Sequence, residues 1–172
     1  MWLLGRMYYT GSGMKSPNYE LSFKWFKDCA QQGNPQGEYF LALSYEYGLG
    51  TPKNYKKAKI YYERAAAQNH NDAIYYLGLM YAFGREGFPQ DLEEAALTFK
   101  KAADRHHGPS MYYLGVMFLY GQGVAVDYEN ALTWFDRSVA EEDPRTHEQA
   151  LKAKKELWSA MQNAKAFNDN TY

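Results

Sequence analysis

The chain has 172 residues, enough for one domain with a sizeable core, and its 19 Lys and Arg residues nearly balance 20 Asp and Glu residues. The net charge of -1 gives no basic field to attract nucleic acid or anionic lipid. No apolar run approaches the roughly 18 residues of a membrane span, no secretory signal is visible, and the lone Cys29 excludes an internal disulfide framework.

A four-fold internal repeat organises the sequence. The leucines Leu4, Leu41, Leu77 and Leu114 lie 37, 36 and 37 residues apart. A small residue follows each leucine, and a glycine comes seven positions after it. A second small residue and a bulky pair such as Trp134-Phe135 come later in each copy. Self-similarity of this period predicts stacked helical repeats, and we expect copies at residues 1–38, 39–73, 74–110 and 111–142.

Each copy is predicted to form two helices. The second helix has apolar residues at i, i+3, i+4 and i+7, and its small residues, Ala95 and Ala131 among them, are expected to be buried where helices cross. Asn and Asp favour helix N-caps, and the predicted caps are Asn18, Asn54, Asp91 and Asp127. The glycine pairs are expected to close the first helices, and the small residue after each leucine to let a neighbouring helix approach.

Residues 143–172 depart from the repeat and are predicted to form a C-terminal helix and tail. Asp143-Pro144 is typical of an N-cap with proline at the first helical position, and the helix should run to about residue 167. Its apolar stripe is expected to shield the last copy: Ala150, Ala153, Leu157, Ala160, Met161, Ala164. The first copy starts inside its first helix, so we expect either a fragment or an open end that stacks on another molecule.

Candidate chemical groups favour structural roles. Cys29 is in register with Ala65 and Ala102, which predicts a small core residue rather than a nucleophile. The adjacent His106 and His107 would point about 100° apart on a helix and lack a further ligand. A lysine cluster within residues 53–59 is typical of a solvated helix face. No catalytic residue, metal site or cofactor is predicted.

Aromatic residues on the first helices are the main binding candidates. Pairs seven residues apart share one helix face, and the six candidates are Phe40, Tyr47, Tyr76, Phe83, Tyr113 and Tyr120. Tyr and Phe are suited to interface hot spots. Packing between neighbouring helices is the equally weighted alternative, and Tyr47, Phe83 and Tyr120, beside the glycine turns, are expected to be the exposed members.

The segments "AIYYLGLMYAFGREGFPQDLEEAALTFKKAA" (73–103) and "YYLGVMFLYGQGVAVDYENALTWFDRSV" (112–139) resemble the Sel-one-like (Sel1-like) repeat, a relative of the tetratricopeptide repeat. This resemblance covers about residues 1–142. It implies an all-α, right-handed solenoid of four helix-turn-helix repeats, with first helices on the concave side and a scaffolding role in multiprotein assemblies.

We therefore expect a non-catalytic adaptor that binds a peptide segment or helix of another protein in its concave groove. The alternative is a structural subunit built permanently into a larger complex through its N-terminal end. Neither nucleic acid nor direct membrane insertion is expected. The compartment stays open, with cytoplasm or, for a fragment, the ER lumen or another organelle as the options.

Overall fold

The structure is a computed structural model that describes residues 1–169, with side chains described through residue 164. Within these residues it contains nine helices and no strand: α1 Trp2–Thr10, α2 Tyr19–Gln31, α3 Pro35–Tyr47, α4 Tyr55–Ala67, α5 Asn71–Phe83, α6 Leu92–Ala103, α7 Gly108–Tyr120, α8 Tyr128–Ala140 and α9 His147–Asp169. Contacts divide the chain into two compact units. Unit 1 is Met1–Gln90 and contains α1 to α5, while unit 2 is Asp91–Tyr172 and contains α6 to α9.

Within each unit, every helix packs against the next one along the chain. The four second helices, α2, α4, α6 and α8, all begin at the predicted caps. In each, the cap oxygen accepts the backbone N–H three residues later, at 2.9–3.0 Å. These bonds satisfy first-turn donors that have no partner inside the helix. The predicted fold class, all-α helix-turn-helix repeats of the solenoid type with a C-terminal helix, is confirmed.

The small residue after the repeat leucine makes close helix packing possible, as predicted. A Cβ on Gly115 would lie 2.7 Å from Cε1 of Phe135 in α8, and one on Gly5 would lie 2.6 Å from the same atom of Phe26 in α2. Both aromatic rings are fully buried. A larger side chain at these glycines would therefore push the two helices of a repeat apart.

The core of each unit confirms the predicted register. Ala95 and Ala131 are completely buried. Cys29 is only 4% exposed and is a small core residue, as predicted. The largest fully buried rings recur at one position of the second helices: Phe26, Tyr62, Phe99 and Phe135.

The last helix, α9, begins three residues later than Pro144, the predicted first position, because residues 144–146 form a turn. Asp143 still caps the segment. Its carbonyl accepts the N–H groups of Thr146 and His147, and its carboxylate accepts that of Arg145. α9 packs on α8, with Ala150 and Leu157 buried.

α9 keeps the register of a first helix but not its ending. In α7, Gly121 ends the helix. The equivalent position of α9, 36 residues later, is Leu157, and α9 continues past it. Leu151 likewise occupies the position of Gly115.

Candidate functional site

Three of the six predicted binding residues are exposed at the ends of first helices. Tyr47, Phe83 and Tyr120 are the last residues of α3, α5 and α7, and their exposed fractions are 49%, 60% and 67%. Helix α3 stops there because Gly48 adopts a left-handed φ of 74°, which places Tyr47 next to the turn. Sequence reasoning therefore identified the exposed members of the set, and their binding role stays a prediction.

The other three predicted residues pack inside their units. Each is half-buried and stacks on the aromatic ring fourteen residues earlier, in the second helix of the preceding repeat. The ring centroids are 4.7 Å apart for Phe26 and Phe40, 5.6 Å for Tyr62 and Tyr76, and 5.3 Å for Phe99 and Tyr113. These three rings therefore pack between neighbouring helices. This packing fixes the orientation of the first helices, whose last residues are the exposed Tyr47, Phe83 and Tyr120.

A buried polar cluster lies beneath Tyr47 in unit 1. Glu46 is 4% exposed, accepts a 2.7 Å hydrogen bond from the Tyr62 hydroxyl, and lies 3.6 Å from Nε of Arg85. Partial burial and then the Glu46 carboxylate raise the pKa of Tyr47 to about 12, so its hydroxyl is a neutral donor at physiological pH. The sequence did not predict this cluster, because its members are 16 and 39 residues apart.

The lysine cluster of α4 is used partly within unit 1. The Nζ atom of Lys59 lies 5.3 Å from the ring centre of Tyr81 and 5.2 Å from that of Phe88, and 3.5 Å from Oε1 of Glu63. Lys57 lies over the Tyr45 ring at 5.2 Å. Cation–π contacts of this kind hold a lysine in place. These two ammonium groups are thus directed to internal partners rather than to a common anion.

An open apolar groove of about 770 Å³ runs between α7, α8 and α9 of unit 2. Its walls combine aromatic residues of α7 and α8 with a stripe of α9, and the lining is Tyr112, Val116, Leu119, Tyr120, Tyr128, Phe135, Gln149, Lys152, Ala153, Glu156, Leu157, Ala160, Met161 and Ala164. The sequence predicted Tyr120 as a binding residue on a first helix but missed the wall formed by α9. The apolar stripe of α9 was visible in the sequence, and it is longer than the part of α9 that packs on the last repeat.

The two adjacent histidines have separate structural surroundings. His106 adopts a left-handed φ of 63°, as Gly33 does at the equivalent helix end, and its ring nitrogen lies 2.8 Å from Glu141. His107 is buried and caps α7 by accepting the N–H of Ser110. Across the described residues, no three His, Cys, Asp or Glu side chains converge on a common metal position.

No helix among the residues that the structure describes has the length and apolarity to cross a membrane.

The chain is similar to known repeat proteins. A Sel1 repeat protein from Oxalobacter formigenes has a solved structure that matches with a TM-score of 0.79 and 28% identity, over 88% of this chain and 61% of that one. An uncharacterized protein of Neisseria meningitidis is 39% identical over 70 residues, which are 41% of this chain and 15% of that protein. A chitin synthase regulator of Saccharomyces cerevisiae is 35% identical over 86 residues, or 50% of this chain and 12% of the regulator. The chain thus matches only a small part of the length of these two curated relatives.

The Sel1 repeat matches the sequence four times in succession, at residues 1–34, 35–70, 71–107 and 108–143. The second, third and fourth matches start three or four residues before the copies drawn from the leucine spacing, and each begins at the first residue of a first helix. These four matches span most of the sequence, and the chain therefore belongs to the Sel1 repeat family.

Proposed function

We propose that this chain is a non-catalytic adaptor that binds a peptide segment or helix of another protein through the aromatic face of its first helices. Sel1 repeat proteins generally mediate protein–protein interactions. The observation that carries the proposal is the exposure of Tyr47, Phe83 and Tyr120 at one register position of three successive repeats.

Packing does not require an aromatic residue at this position. The equivalent residue of the first copy is Thr10, which is also exposed and also ends its helix. Large exposed aromatic rings are costly in water, and Tyr and Phe give large contact areas with little loss of side-chain entropy when a partner covers them. We include Phe40, Tyr76 and Tyr113, each seven residues before an exposed ring on the same helix, in the proposed binding set.

Affinity capture with matched triple variants tests this function. The test variant replaces Tyr47, Phe83 and Tyr120 with alanine. The control replaces Ile60, Leu97 and Trp158, which are 52%, 65% and 53% exposed on α4, α6 and α9. After thermal melts show that both are folded, partners captured from the lysate of the source organism should be lost from the test variant and kept by the control. Retention of every partner by the test variant would refute binding through this face.

A structural subunit attached through α1 is the second candidate function. Met7 is 46% exposed, whereas Met80 and Met117, at the same register position of α5 and α7, are each 3% exposed. Leu3 is also exposed, at 60%. If this candidate is right, a Leu3→Asp/Met7→Asp variant should lose its partners while the triple alanine variant of the aromatic face keeps them.

A further inference from the structure

We propose that the face of α1 formed by Leu3 and Met7 binds a helix of a different repeat protein. That helix has the pattern of this chain's own second helices, in which an aromatic ring is followed three and four residues later by small side chains. This inference rests on the second candidate function, attachment through α1. It deepens that function by stating which kind of partner helix the face accepts.

The uncovered side of α1 corresponds to the covered side of α3. Leu3 is equivalent to Phe40, which is half-buried because the Phe26 ring of α2 stacks on it with the ring centroids 4.7 Å apart. Met7 is equivalent to Ser44, which is 1% exposed. In α1 the same two positions are 60% and 46% exposed. A second helix thus covers this side of α3, whereas the described residues supply no such helix to the Leu3 side of α1.

Helix α1 retains the apolar side chains of a covered helix. Methionine occupies the Met7 position in α5 and α7 as well, where Met80 and Met117 are each 3% exposed. A repeat face that stays in water needs polar residues for solubility. Leu3 and Met7 instead lie one helical turn apart on a single face, so a partner helix that covers both removes large apolar side chains from water.

The internal interfaces of the two units define the helix that fits this face. In α2 the stacking ring of Phe26 is followed by Cys29 and Ala30. This small pair lets α3 approach closely, since a Cβ on Gly37 would lie 2.7 Å from Cβ of Cys29 and 2.9 Å from the backbone nitrogen of Ala30. The pattern recurs as buried residues in α4 and α6: Tyr62 with Ala65 and Ala66, and Phe99 with Ala102 and Ala103. A partner helix with this spacing can pack on α1 as α2 packs on α3.

A second copy of this chain offers no uncovered helix of this type among its described residues. Within unit 1, α2 packs against α3 and α4 against α5, and within unit 2, α6 packs against α7 and α8 against α9. Each of these second helices would have to leave its own partner before it could cover α1 of another molecule. The occupant is therefore a different protein that carries an uncovered helix of the repeat type.

Fluorescence anisotropy with a labelled peptide of residues 55–68 tests the proposal. The peptide contains the sequence of α4 and is held helical by a hydrocarbon bridge between positions 56 and 60, which are both exposed in the chain. The ring variant of the peptide carries Tyr62→Ala. The matched variant carries Tyr61→Ala, because the Tyr61 ring stacks at 5.9 Å on Tyr45 of its own repeat and not on α5.

Two double variants of the full chain carry the same added charge. Leu3→Asp/Met7→Asp places that charge on the proposed face. Thr10→Asp/Ser12→Asp places it at exposed positions outside the face, since Thr10 is equivalent to Tyr47, which is exposed at the end of α3. Thermal melts are recorded first to show that both variants are folded.

We expect the parent peptide to bind the full chain at least about tenfold more tightly than the Tyr62→Ala peptide, and the Tyr61→Ala peptide to bind like the parent. Leu3→Asp/Met7→Asp should weaken binding at least about tenfold, and the control variant should leave it unchanged. No binding, equal effects of the two tyrosine changes, or equal effects of the two double variants would overturn the proposal. Sedimentation at several concentrations is run in parallel, and self-association abolished by Leu3→Asp/Met7→Asp alone would overturn it in favour of a second copy as the occupant.

Attachment through α1 and the kind of partner helix fail separately. If Leu3→Asp/Met7→Asp loses cellular partners that the aromatic-face variant keeps, but the peptide does not bind, attachment through α1 stands and the second-helix partner falls. If the peptide binds as expected but Leu3→Asp/Met7→Asp retains every cellular partner, the face accepts such a helix and attachment through α1 falls instead.

Discussion

Unit 1 and unit 2 are built from the same repeat, but helix α3 of unit 1 and helix α7 of unit 2 fill two of its positions with opposite chemistry. In unit 1, Glu38 and Glu46 are 1% and 4% exposed. In unit 2, the same register positions of α7 hold Met111, which is fully buried, and Leu119, which is half-buried. The repeat therefore fixes which positions face inward, while it leaves open whether a position is charged or apolar.

The buried carboxylates of unit 1 are accommodated because neighbouring helices and a loop supply partners. Glu38 accepts a 2.7 Å hydrogen bond from the side-chain amide of Gln68 and pairs with Nε of Arg64 at 3.1 Å. Glu46 is held by Tyr62 of α4 and by Arg85 of the loop that follows α5. Burial of a charge is tolerated only with such compensation. Unit 1 should thus be sensitive to the loss of polar partners, and unit 2 to changes of volume.

The largest expected effect is a loss of packing in unit 2. Trp134 is 8% exposed, and the Arg137 guanidinium lies 4.3 Å from its ring centre. Trp134→Ala should lower the free energy of unfolding, measured by urea denaturation, by about 3–5 kcal/mol. The equivalent Tyr61 of unit 1 is half-buried, so Tyr61→Ala should cost less. Equal losses for the two variants would remove the contrast between the units.

Overpacking in unit 2 should have a somewhat smaller effect. Ala131 is fully buried, and its carbonyl oxygen would lie 3.2 Å from a Cβ on Gly115. Because Ala131 lies fully buried in a packed cluster, Ala131→Leu should overpack the core and destabilise by about 1–3 kcal/mol in urea denaturation. Thr133→Leu, at an exposed position two residues away, is the control. A neutral Ala131→Leu variant would contradict the helix register.

Local signals in the sequence were enough to predict the repeat, its caps and its exposed aromatic ends. Asn54 and Asp127 cap helices because their oxygens reach donors three residues away, and that spacing is visible in the sequence. The partners of Glu46 could not be predicted in this way, since Tyr62 and Arg85 meet it only after the helices pack. The apolar stripe of α9 was visible in the sequence, but the wall that it forms depends on how far α9 extends beyond α8, which the stripe alone does not give. His107 was weighed as a metal ligand, and its role as a helix cap was missed.

The hydrogen bond to the buried charge of unit 1 should have a moderate effect. Tyr62 occupies the position of Phe26, Phe99 and Phe135 in the other repeats. Tyr62→Phe keeps the ring but removes the donor to Glu46, and it should cost about 1.5 kcal/mol of unfolding free energy. Tyr61→Phe is the half-buried control. The double variant Tyr62→Phe/Glu46→Leu, which imitates unit 2, should cost less than the sum of its single changes, and strict additivity would contradict the coupling.

The smallest expected effect concerns pH, because the caps of the second helices are Asn18 and Asn54 in unit 1 and Asp91 and Asp127 in unit 2. Hydrogen bonds from the backbone N–H and then the side-chain amide of Asn130 lower the pKa of the Asp127 carboxyl. A group whose folded-state pKa is lowered stabilises the fold above its ordinary value of about 4, and this contribution is lost as pH falls through the lowered pKa. Asparagine does not titrate there.

Exchange of the two cap types turns this difference into a measurement. Free energies of unfolding are compared at about pH 7 and about pH 3 for the wild type, Asp127→Asn and Asn54→Asp. Asp127→Asn should reduce the loss of stability on acidification, since its cap keeps the same acceptor at both pH values. Asn54→Asp should increase that loss, because it gives α4 a carboxylate cap that titrates. If neither exchange changes the pH dependence, the ionised form of the cap contributes no more than the neutral amide, and the loss of stability on acidification must come from other titratable groups of the fold.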